Sequence, residues 1–226
     1  MTGLRERKKQ RTRDALIRAS HELFVTRGYD ETTIDEITDV VDVSQRTFFR
    51  YFSSKEAVAF ALQDEVETRF CVAALNRPSQ ESPAQALRNA LTSTWTGAAE
   101  SVHKVVPMNI HMRMWRLIET TPALLAAHMW RSAEMEDRLT SVIATREGID
   151  TTTDLRPRVL VAQFSGVMRS AGRQWAMTED ITLRAMKITI EKYLDLMGPA
   201  LDENWSNGES HGDGPSDTQS HSDTRQ

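Results

Sequence analysis

The chain has 226 residues, with 28 Lys and Arg against 32 Asp and Glu and a formal net charge of −4. That is enough chain for one or two domains with a buried core. The single cysteine, Cys71, excludes an intrachain disulfide framework and fits a reducing, cytoplasmic setting. No apolar run approaches the roughly 18 residues a membrane span requires, and no apolar signal core follows the basic start, so neither a membrane location nor secretion is expected.

The charge is unevenly placed. Residues 1–18 carry seven Lys and Arg against two Asp and Glu, whereas residues 202–226 carry one against six. The acidic end is rich in Ser and Gly and holds almost nothing apolar, so residues 201–226 read as a disordered tail.

In chain order, residues 1–8 read as a loose basic arm and residues 9–27 as a helix. Leu16, Ala19, Leu23 and Phe24 form its apolar stripe, and Gly28 sits where a helix C′ glycine belongs. Next comes TIDEITDVVDVSQRTFFRYFSSKE, from Thr33 to Glu56. Thr33-x-x-Glu36 and Ser53-x-x-Glu56 both have the form of capping boxes, in which a hydroxyl and a glutamate satisfy free helix N–H groups reciprocally. Between them the three residues Asp42, Val43 and Ser44 form a tight turn, with Ser44 placed to cap the next helix. Helices over residues 34–41 and 45–52 flank the turn, which is the arrangement of a helix-turn-helix.

A fourth helix is expected from residue 54 to about 75, past Val58, Leu62, Val66 and Phe70. The Pro- and Ser-rich stretch from Arg77 to Pro83 marks a boundary. Ser82, Pro83 and Gln85 then restart a helix as cap, first helical proline and third-position partner. Five helices follow at about 84–102, 107–119, 122–147, 153–176 and 180–197, with Gly148 and Gly198-Pro199 as stop signals. No strand or repeat signal is evident, so the fold is all-α with about nine helices. Residues 1–56 read as a basic arm and a helix-turn-helix domain, and residues 57–200 as a second, helical domain.

The third helix has two faces. Phe48 and Phe52 are four apart and belong to the core, which leaves Gln45, Arg46, Phe49 and Arg50 pointing outward. Glutamine can bond an adenine edge, and arginine a guanine edge, in two places each. Ser44 and Thr47 lie in the first turn, where hydroxyls and free N–H groups meet phosphates. Lys55 and the cap residue Thr33 suit the same backbone, and the arm (Arg5, Arg7, Lys8, Lys9, Arg11, Arg13) could track phosphates or enter a minor groove. An ordinary solvated helix face would carry the same charges.

The combination of RGY, TTI, VS-x-x-TFFRYF and SKE at these spacings resembles the DNA-binding domain of the tetracycline-repressor (TetR) family of bacterial transcription regulators, over residues 9–56. The resemblance implies that Gln45 and Arg46 lie where bases are read, and that Thr33, Thr47 and Lys55 hold phosphates. The position of Phe49 is usually a tyrosine in that family, bonding a phosphate through its hydroxyl. Phe49 cannot do so, and Tyr51 could supply a hydroxyl instead. The expected partners are therefore double-stranded operator DNA, a second copy of the chain and a small effector.

The last two helices carry apolar residues on more than one side, which calls for a partner. Val159, Leu160, Phe164, Val167, Met168, Ala171 and Trp175 spread around one, and Ile181, Leu183, Met186, Ile188, Ile190, Leu194 and Met197 around the other. A homodimer through these helices follows, in agreement with the family resemblance. The middle helices are rich in Met and Trp, and Trp95, Met108, Met112, Trp115, His128, Met129 and Met168 are candidates to line an apolar effector pocket. His111, His128, Arg113 and Arg116 are candidates for its polar rim. The segment MRMWRLIETTPALLAAHMWR resembles a branch of the family that senses acyl-CoA thioesters, so a large apolar effector, an acyl-CoA among the options, is expected.

Glu100-x-x-His103 has the spacing of half a di-iron site but has no second such pair, so no metal is expected. No phosphate loop, zinc motif or serine elbow occurs, so neither a cofactor nor an enzyme is expected. Cys71, beside Phe70 and Val72, reads as a small buried hydrophobe. The expected function is a ligand-responsive repressor released from a palindromic operator. The alternatives are an activator, a ligand-independent regulator, or a helical lipid-binding carrier, which would have no use for an outward Gln/Arg face beside a tight turn.

Overall fold

A computed structural model describes residues 2–198. Its ten helices are α1 (Thr2–Arg27), α2 (Ile34–Val41), α3 (Gln45–Phe49), α4 (Lys55–Ala59), α5 (Ala61–Leu75), α6 (Pro83–Val105), α7 (Met108–Thr120), α8 (Pro122–Glu147), α9 (Arg156–Ala176) and α10 (Leu183–Asp195). The described residues are all-α, as expected. The tail of residues 201–226 lies outside them.

Three local expectations need correction. Residues 2–8 are not a loose arm, because α1 runs unbroken from Thr2. Its polar first turns close bonds along the helix, with Arg7 Nε donating to the Gly3 carbonyl at 2.9 Å and Gln10 Nε2 donating to Asp14 Oδ1 at 2.7 Å. The cap of α4 is Ser54 rather than Ser53, its hydroxyl accepting from the Ala57 N–H at 3.0 Å. The expected long fourth helix is two helices, α4 and α5, with an offset at the fully buried Phe60. That offset makes ten helices from the expected nine.

Other signals are used as read. Thr33 and Glu36 form the capping box of α2, and Ser82 and Gln85 that of α6. Asp42 closes α2 in the left-handed region, at φ 54°, and the Val43 N–H reaches back to the Thr38 carbonyl at 3.0 Å. This is the doubly bonded helix ending usually built on glycine.

Two apolar clusters organise the molecule. The first packs Leu16, Ile17, Phe24, Ile37, Phe48, Phe52, Val58 and Phe60 together with Met114, Ile118 and Leu124 of α7 and α8. The head formed by α1–α4 is thus continuous with the body. The second cluster joins α5, α6, α8, α9 and α10 around Phe70, Leu87, Phe164, Trp175 and Ile190.

Candidate nucleic-acid interface and interior cavity

Helix α3 is fixed from beneath. Phe48 is fully buried and Phe52 nearly so, their ring centroids 5.7 Å apart. The Ser44 hydroxyl accepts from the Thr47 N–H at 3.2 Å and lies 3.1 Å from the Thr47 hydroxyl. With that side held, Gln45, Arg46, Phe49 and Arg50 face solvent, and Phe49 is 50% exposed against the edge of Phe48. The orientation read from the i, i+4 phenylalanines is the one observed.

The polar residues on this face differ in how free they are. Arg46 has no ion pair or side-chain hydrogen bond among the described residues. The Gln45 amide donates to Asp35 on α2, so it is held across the turn. The Arg50 guanidinium lies over the half-buried Tyr51 ring, 5.2 Å from its centroid. Thr33 remains exposed although its hydroxyl and N–H serve the cap with Glu36, whose carboxylate also takes Arg27 Nη1 at 2.8 Å. These bonds hold the Glu36 carboxyl below the usual carboxylate range.

Lys55 is not the free cation expected from the sequence. Its ammonium donates to the carbonyls of Tyr29 and Thr32, both at 2.8 Å, and sits 4.3 Å from the Tyr29 ring centroid. It clamps the α1–α2 loop to the start of α4, leaving one of its three donors. Of the basic residues at the N-terminus, Arg13 is also engaged, with Glu65 at 2.6 Å and over the Phe52 ring. Arg5, Arg7, Lys8, Lys9 and Arg11 are exposed along α1.

Beyond the head, α5–α10 enclose a cavity of about 210 Å³. Trp95, Met108, Met112, Trp115, His128 and Met168 line it, as expected. Met129 does not: it follows His128 by one residue, which turns it to the outer face of α8, where it is 42% exposed. Of the expected polar rim, His111 and His128 are on the wall, whereas Arg113 reaches back to the Val25 carbonyl at 3.2 Å and Arg116 is not on the wall. Composition gave no warning of Gln63, Glu67 and Glu119, which also line the cavity. Each has an apolar neighbour three or four residues away, Val66 for Gln63, Phe70 for Glu67 and Trp115 for Glu119, a signal only once the face is known.

Burial sets the charge state there. It pushes the His111 and His128 pKa down to about 4, His128 further so by Arg169, Arg131 and Arg173, and raises the carboxyls of Glu67 and Glu119. His128 Nε2 stands 3.5 Å from Glu119 Oε1, while Gln63 Nε2 donates to Glu67 Oε1 at 2.8 Å and lies 3.3 Å from His128 Nδ1.

The cavity wall touches the link to the head directly. His128 stacks on Phe60 at 6.4 Å with the rings 7° from parallel, and the Arg131 guanidinium lies 4.8 Å from the same ring's centroid. Phe60 is the residue at which α4 and α5 part.

On the outer side, a stripe runs along α9 from Val159, 54% exposed, through half-buried Gly166 and exposed Ser170 to Met177 just beyond its end, 66% exposed. On α10, Ile188 is exposed, and Leu196 just beyond its end. Phe164, Ala171 and Trp175 of α9 and Met186, Ile190 and Leu194 of α10 are the inward side of the expected two-sided sets. Among the described residues no helix is long and apolar enough to cross a membrane, and no cluster of three or more His, Cys, Asp or Glu could hold a metal ion.

Comparison with known proteins agrees with this geometry. Residues 16–62 match the family model described as bacterial regulatory proteins, tetR family, and residues 81–201 match the MftR C-terminal domain. The HTH-type transcriptional regulator TcmR of Streptomyces glaucescens is 43% identical over 203 residues, covering 90% of each chain. The HTH-type transcriptional repressor NicS of Pseudomonas putida is 30% identical over 95 residues, 42% of this chain and 45% of that one. A head with an outward Arg/Gln face, a helical body, and matches to both halves lead to one assignment: the chain belongs to the TetR family and is a transcriptional regulator, not an enzyme.

Proposed function

We propose that the protein is a homodimeric repressor that leaves a near-palindromic operator when a small apolar effector enters the α5–α10 cavity. Arg46 and Gln45, with Arg50, read base edges in the major groove; Ser44, Thr47 and Thr33 meet phosphates, and Tyr51 stands in for the hydroxyl that Phe49 lacks. Lys55 acts first as a clamp and contributes at most its remaining donor to the DNA. The exposed stripes of α9 and α10 pair across a two-fold axis, which sets the two heads about 34–36 Å apart, one turn of DNA.

The observation that carries the effector reading is the stack of His128 on Phe60. One ring is cavity wall and the other is the joint between α4 and α5. The cavity, about 210 Å³, is at the small end of ligand pockets, so a large ligand that fills it presses on its walls. Displacing His128 then displaces Phe60, and α4 carries the shift to the head. A coupling of ~1–3 kcal/mol lowers operator affinity about 5–150-fold. The acyl-CoA reading rests on the resemblance of residues 112–131 and on the apolar walls, and the cavity offers no unpaired cation for phosphates among the described residues.

Repression is the sign that agrees with NicS, named as a repressor. In vitro transcription from a promoter overlapping the selected operator tests it. Added dimer is expected to reduce transcript; an increase would make the protein an activator and reject the repressor reading.

A further inference from the structure

The cavity wall is polar in a selective way. Gln63, Thr94, His111 and Trp115 all line it, and Gln63 Oε1, Thr94 Oγ1, His111 Nδ1 and Trp115 Nε1 are buried atoms with no hydrogen-bond partner. Gln63 and Thr94 are each only 6% exposed. Buried polar atoms are ordinarily bonded, so four on one wall point to a ligand that completes them. Two of the four have fixed roles. Indole Nε1 can only donate. Gln63 Oε1, a carbonyl oxygen, can only accept, while the Nε2 of the same amide donates to Glu67 Oε1 at 2.8 Å.

The charges on the wall restrict the ligand further. Its only guanidinium among the described residues, Arg169, is already paired with Glu136. Burial raises the carboxyls of Glu67 and Glu119, so neither offers an anion a charge to pair with. A cation gains little from Glu67, which already accepts from Gln63 and from Arg138 at 3.3 Å, and meets the field of Arg173 beside Glu119.

We infer that the cavity takes an uncharged, largely apolar small molecule bearing both a hydrogen-bond acceptor, bound by Trp115, and a donor, bound by Gln63. This rests on the cavity being the effector site. The aromatic surfaces of Trp95, Phe70 and Phe164 supply the apolar contact, Phe70 and Phe164 stacking on each other at 5.9 Å.

The test uses four probes of one shape on the full-length dimer at neutral pH, read by quenching of tryptophan fluorescence. They are methyl hydroxynaphthoate (neutral, donor and acceptor), methyl naphthoate (acceptor only), hydroxynaphthoate (anion) and naphthylmethylammonium (cation). The hydroxy ester is expected to bind tightest, with methyl naphthoate about five- to tenfold weaker for want of one hydrogen bond. Trp115→Phe, which removes the indole donor together with part of the ring, is expected to weaken both esters by a similar factor. Tighter binding of the anion or cation, or equal binding of the two esters, overturns the inference while leaving the effector site standing. If none of the four binds saturably and none changes operator affinity, the effector-site reading itself is lost.

Discussion

At the scale of single residues, Arg46 and Lys55 separate reading from holding. Arg46 is exposed on α3 with no partner among the described residues. Arg46→Ala should relax discrimination at one or two base pairs by ~1–3 kcal/mol each, measured by competition between the operator and singly substituted sites. Unchanged discrimination would mean that another face of α3 meets the bases. Lys55 bonds two carbonyls of the α1–α2 loop. Lys55→Met should therefore lower folding stability by about 1–3 kcal/mol in urea titration, with little change in the salt slope of DNA binding. A slope reduced by about 0.9 instead would identify a phosphate contact. The inward turn of Phe48 and Phe52 was legible from their spacing, but the Lys55 clamp was not. Its partners are backbone carbonyls 26 and 23 positions earlier, and backbone carries no residue signature.

At the scale of elements, the turn between α2 and α3 was legible from Thr33, Ser44 and the short connection. Its backbone was not, because Asp42 rather than glycine takes the left-handed position. A β-branched residue fits that region poorly, so Asp42→Val should destabilise the head by ~1–2 kcal/mol, seen as a lower midpoint in thermal unfolding. The α4–α5 offset left no Gly or Pro in the sequence. It lies where His128 and Arg131, from a helix more than sixty residues later, close on Phe60. The first turns of α1 were hidden for another reason. They bury nothing, and amphipathic period is the signal by which helices are read.

At the scale of the molecule, three histidines tie stability to pH. Burial holds the His21 pKa down to about 3, and those of His111 and His128 to about 4. Their unfolded values lie near 6.5. In the interval between, the unfolded chain binds more protons, so stability is full above about pH 6.5 and falls as pH drops toward the folded values. The thermal midpoint should be flat from pH 8 to about 7 and decline by pH 5, and His21→Leu should lessen the decline. A midpoint unchanged to pH 5 would mean these rings are hydrated. The cavity was partly legible from the Met and Trp content of the middle helices. Gln63, Glu67 and Glu119 were not, because a buried polar residue looks like any surface one until the helices are packed.

The central claim is that two outward α3 faces, held by paired α9 and α10 stripes, read a two-fold DNA site. Selection of binding sequences from a random DNA pool by the wild-type protein, with Val159→Asp in parallel, tests it most directly. The wild-type protein should enrich inverted repeats with half-sites about one helical turn apart, and Val159→Asp should be a monomer that enriches nothing. Enrichment of single, asymmetric sites by the wild-type protein, or of the same repeats by a monomeric Val159→Asp, would contradict it.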